Sequence, residues 1–136
     1  MSDDQRPPDD VVEAIGKASE ALEYVERARG HLYSFHQLMG RADIEFGNAV
    51  DQLADAGLTA DARTLADTLV GRNVLDGRWT FQVVDEFDDL YYQTAKELVR
   101  RLERDHLDGQ RHAYERHLKR ERRTPGEPGH EMNPPT

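Results

Sequence analysis

The sequence predicts an all-α protein, a long antiparallel helical hairpin with a short additional helix that dimerises into an assembly like a four-helix bundle. Three observations predict it. Apolar residues recur at threes and fours through two long stretches. All six prolines lie near the two ends of the chain, so none interrupts either stretch. The hydrophobic fraction is only 37% and the charged fraction 33%, a balance that suits helices burying one stripe each and leaving the rest wet.

Residues 1–8 read as a disordered polar tail, and residues 9–123 as the helical domain. Asp9 and Asp10 precede the first apolar pair, Val11 and Val12, where carboxylates complement the helix dipole. The first stripe runs Val11, Ile15, Ala18, Leu22, Val25, Ala28, Leu32, Phe35, Met39, Ala42, Phe46, Ala49 and Leu53. It predicts one helix ending near Ala56-Gly57, with glycine in the left-handed C-terminal position. Gly16, Gly30, Gly40 and Gly47 weaken it and are the places where a break would fall.

Thr59 reads as the N-cap of a short helix, Ala60 to Val70, that buries Leu65, Leu69 and Val70. Gly71 to Gly77, with Asn73 and the Asp76-Gly77 pair, reads as a connector. A second long helix starts near Trp79-Thr80 with the stripe Val84, Phe87, Tyr91, Ala95, Leu98 and Leu102. Its acids lie early and its arginines late, following the dipole. Asp108-Gly109 kinks or ends it, and residues 124–136, rich in proline and glycine, read as a second disordered tail. Two such helices leave apolar surface uncovered, and pairing two hairpins is the usual solution. A homodimer is therefore expected.

Composition excludes several functions. The chain has no cysteine, which removes disulfides, thiolate nucleophiles and Cys-ligated metal sites. A net charge of −9 argues against unspecific binding to nucleic acid or an anionic membrane. No apolar run approaches the roughly 20 residues of a membrane span. The first residues show neither the basic nor the apolar region of a secretory signal, so a cytoplasmic protein is expected. Ser34 near His31 has no nucleophile elbow around it, and phosphate-binding glycine motifs are absent. No catalytic residue and no cofactor are assigned.

Four groups remain as candidate sites. Glu103-Arg104-Asp105-His106 matches the Glu-x-x-His element of di-iron bundles, but it stands alone in a charged stretch and reads as a solvated helix turn. His36, Gly40, Asp43 and Gly47 lie on one flank of the first stripe. Asp85, Glu86, Asp88 and Asp89 cluster early in the second helix, where paired carboxylates suit a hard cation or simply favour the dipole. His36, Asp43, Asp85, Glu86 and Asp89 are thus the candidate metal ligands. The alternative for the first-helix pair is structural, with Asp43 paired to an arginine or a hydroxyl and His36 holding one hydrogen bond.

Partner contacts are assigned to Arg72 and Trp79 in the connector, and to Arg116, Lys119, Arg120, Arg122 and Arg123 in the basic end. Acids interleave that end, so a salt-bridged solvated helix competes with a nucleic-acid arm. The leading functional expectation is a non-enzymatic, dimeric helical scaffold or regulatory interaction protein. The alternatives are a carboxylate/histidine metal-binding bundle and a nucleic-acid accessory protein.

Overall fold

The computed structural model describes residues 7–135. Most of the tail expected over 1–8 therefore lies outside the described residues. Those described are helical, with no strand among them. Helix α1 is Asp9–Asp55, α2 Thr59–Thr68, α3 Thr80–Phe87, α4 Gln93–Leu107 and α5 Ala113–Arg122, and a π-helical turn, Asp88–Tyr92, joins α3 to α4. No helix is long and apolar enough to cross a membrane.

α1 runs through all four of its glycines without a break. It ends as expected, with Gly57 at φ 85°. The Leu58 N–H donates to the Leu53 carbonyl at 2.8 Å and the Gly57 N–H to that of Ala54 at 3.0 Å, the paired bonds of a Schellman motif. This motif corrects the N-cap assigned to Thr59. Leu58 takes that position and its carbonyl accepts from the Ala62 N–H at 2.9 Å, so Thr59 is already helical. The buried side of α2 also differs from expectation. Ala62 is buried, Leu65 half-buried, and Leu69 and Val70 exposed.

Contacts divide the chain into two compact units. Among the described residues, one joins 7–24 with 94–135. Its buried side chains include Ile15, Ser19 and Leu22 of α1 and Val99, Glu103 and Leu107 of α4. Glu103 corrects the reading of residues 103–106 as a solvated turn, because it is only 2% exposed. Its i, i+4 spacing to Val99 and Leu107 puts it on their face, and Arg100 Nη1 donates to Oε1 at 2.8 Å. By contrast Leu98 and Leu102, which the stripe placed inside, are exposed. Asp108 and Gly109 end α4 with φ of 52° and 74°. Residues 124–135 form turns, with the Arg123 guanidinium donating to the His130 carbonyl at 2.9 Å.

The other unit is Val25–Gln93. Here α1 turns inward a face one step around from the expected stripe. Val25, Leu32 and Met39 remain half-buried. Arg29, His36 and Asp43, each four residues further on, are half-buried too, while Ala28 and Phe35 are exposed. On α3, Thr80 and Val84 are buried, with Asp88 and Tyr92 half-buried. Of the expected stripe, Val84 and Phe87 are covered, but Tyr91 is exposed and Tyr92 takes the inward position. The π turn explains it: one extra residue per turn brings Tyr92 to the face Tyr91 would occupy on an uninterrupted α-helix.

Candidate functional site

The inward polar row of α1 consists of Arg29, His36 and Asp43, spaced by seven and hence on one face. Each has its own partner. Arg29 donates bidentately to Asp88, Nε to Oδ1 at 2.6 Å and Nη2 to Oδ2 at 2.8 Å. The Arg29 hydrogen bonds hold the Asp88 carboxyl below its ordinary range, against a smaller desolvation effect, and Asp88 raises Arg29 in turn. The Arg29 guanidinium also lies 5.8 Å from the Tyr33 ring and 5.6 Å from that of Tyr92, within cation–π reach. His36 Nδ1 and Thr80 Oγ1 share a hydrogen bond of 2.7 Å. Asp43 Oδ1 accepts from the Gly71 N–H at 2.8 Å. Partners 88, 80 and 71 descend as 29, 36 and 43 ascend, so the two segments meet in opposite directions and a slip of register would break all three contacts.

The connector is ordered by its own bonds. The Arg78 N–H donates to Leu75 O at 3.0 Å around Asp76-Gly77, with Gly77 at φ 70°. The Arg78 guanidinium pairs bidentately with Glu86, which holds the Glu86 carboxyl below its ordinary range. Trp79 donates its indole N–H to Gly71 O at 3.2 Å, and its backbone N–H to Gln82 Oε1 at 2.8 Å.

These bonds shape a partly open, mainly apolar cavity of about 620 Å³, walled by Met39, Phe46, Leu69, Val74 and Trp79. Its polar edge holds Asp43, Arg72, Asn73 and Thr80. Arg72 and Trp79, assigned to partner contact from sequence, therefore share one cavity. Sequence reasoning did not find its other walls, because they come from α1, the end of α2 and the connector.

The five candidate metal ligands are placed apart in their bonding. His36 is engaged by Thr80, Asp43 by Gly71 and Glu86 by Arg78, while Asp85 and Asp89 are exposed. Asp43 thus takes a backbone N–H instead of the arginine or hydroxyl expected, and His36 has the single bond. Among the described residues, three metal-capable groups gather elsewhere. Ligand atoms of Glu23, His112 and Glu115, all exposed, lie within 4.8 Å of one another. Of the basic end, Arg116 Nη2 donates to Asn133 Oδ1 at 3.2 Å, and Lys119, Arg120 and Arg122 are exposed on α5. Comparison with protein-family models, curated proteins and solved structures finds no match to the chain.

Proposed function

We propose that this protein is a non-enzymatic helical scaffold or regulatory protein, cytoplasmic, that works as a homodimer of long helical hairpins packed like a four-helix bundle. One observation carries the reading. Beside its inward face, α1 bears a second apolar row, Ala28, Phe35, Leu38, Ala42, Phe46 and Ala49, spaced by seven, three, four, four and three. Its large members are uncovered by the chain itself, Phe35 being 42% and Leu38 68% exposed. A row of that period on a helix is what a second helix packs against. Small residues at 28, 42 and 49 would let it approach closely, with Phe35, Leu38 and Phe46 as the knobs.

The bonding pattern supports a binding role over catalysis. The buried or half-buried polar groups of the inward row are each consumed by a structural partner. The test is thermal unfolding over about a hundredfold range of protein concentration. A midpoint that rises with concentration is expected, because association stabilises the folded dimer by mass action. A midpoint independent of concentration would refute the dimer.

A further inference from the structure

We infer that the cavity between α1, the end of α2 and the connector is a binding site for a small amphipathic acid, an apolar body carrying one carboxylate. Its volume of about 620 Å³ falls within the range of about 300–1,000 Å³ typical of small-molecule sites, which are mostly apolar with a few placed polar groups. The apolar part is supplied by Met39, Phe46, Leu69, Val74 and Trp79.

The head group follows from which polar atoms are already used. Asp43 Oδ1 accepts from the Gly71 N–H, Thr80 Oγ1 is bonded to His36, and the Trp79 indole N–H is donated to Gly71 O. Among the described residues the Arg72 guanidinium has no hydrogen bond or ion pair, and the Asn73 side chain has no hydrogen bond. The two are adjacent in sequence and both line the cavity. The polar edge thus offers an unengaged cationic fork and an amide, beside the half-buried Asp43 carboxylate, which has one oxygen held by the Gly71 N–H. That fork matches a carboxylate bidentately, while the neighbouring walls match a hydrocarbon or aromatic body. A cationic amphiphile would meet Arg72 with like charge and find Asp43 already holding the Gly71 N–H, and an alcohol would leave the guanidinium unneutralised.

The chain contains one tryptophan, and it lines the cavity, so Trp79 emission reports occupancy directly. The test titrates the full chain with dodecanoate, dodecan-1-ol and dodecyltrimethylammonium, each kept below micelle formation, with calorimetry as a second readout. Dodecanoate is expected to shift Trp79 emission saturably and to bind up to about fivefold tighter than the alcohol, as an ion pair at an exposed arginine warrants. Arg72→Gln, at an exposed position, should keep wild-type helicity and lose that preference, whereas Arg72→Lys should retain part of it.

The cavity shares Ala42 and Phe46 with the row proposed to pack against a second copy, so the two readings are separated by a variant of that row outside the cavity. Phe35→Glu lies outside the cavity lining and should bind dodecanoate as wild type does. Four results would overturn it. They are no saturable response to any probe, equal affinity for acid and alcohol, preference for the ammonium probe, and an unchanged preference in Arg72→Gln. A Trp79 emission that moves on dilution and ignores all three probes would show that a second copy fills the cavity, and would overturn it too.

Discussion

Arg100→Ala should destabilise the protein far more than removing the acid it serves. Glu103 is 2% exposed on the face of Val99 and Leu107, with Arg100 Nη1 at 2.8 Å. Truncating Arg100 strips a buried carboxylate of its described cation. Breaking a fully enclosed pair costs about 3–5 kcal/mol. The Arg100 side chain is 29% exposed, so water can enter where the guanidinium stood, and about 2–3 kcal/mol is the expected loss. Glu103→Leu removes the charge together with its need for a partner and fills a site already flanked by valine and leucine. It should be neutral or stabilising by about 1 kcal/mol. Urea unfolding followed by circular dichroism reads both. With a slope of about 1–3 kcal/mol/M, Arg100→Ala lowers the midpoint on the order of 1 M. Equal large losses in the two variants would refute the reasoning, because the carboxylate would then be making contacts worth more than its desolvation.

Three further outcomes are expected. Leu22→Ala and Leu107→Ala, at sites 3% and 2% exposed, should each cost about 2–5 kcal/mol, and half-buried Leu32→Ala clearly less; equal losses in chemical denaturation would contradict the assigned burial. Gly57→Ala should cost about 1–2 kcal/mol, since a side chain at φ 85° is strained though nothing lies within 4 Å of the added carbon; an unchanged midpoint would argue against the Schellman stop. Asp88 and Glu86 have carboxyls held down by Arg29 and Arg78. Their stabilisation is present above the ordinary carboxylate pKa of about 4 and is lost as pH falls through the lower folded values. Acid unfolding curves of Asp88→Asn should therefore be flatter below that range than those of wild type, and an identical slope would count against the Arg29 pair.

The helices were legible from the sequence because their signals are local: a run of threes and fours, a glycine stop at Gly57, a glycine-rich connector and a break at Asp108-Gly109. The inward face was less legible. The stripe rule weighs apolar residues alone, so it chose Ala28 and Phe35 over Arg29 and His36. The polar residues turn inward because Asp88 and Thr80 meet them, and nothing within α1 announces partners 59 and 44 residues away. The π turn at Asp88–Tyr92 has no mark in composition, yet it moves the inward position from Tyr91 to Tyr92. Glu103 read as solvated because its neighbours in sequence are charged, whereas its neighbours on the helix face, Val99 and Leu107, are apolar. For the cavity, Arg72 and Trp79 were visible as an unusual connector pair, but the walls from α1 and α2 depend on tertiary placement.

The central claim is that the second apolar row of α1 is covered by another copy of the chain. Light scattering coupled to size exclusion, run on wild type and Phe35→Glu, tests it most directly. The account predicts a wild-type mass twice the 15.6 kDa of the chain, and a shift toward the single-chain mass when a charge is placed in the row. A wild type that elutes at the single-chain mass at micromolar concentration while cooperatively folded would contradict it.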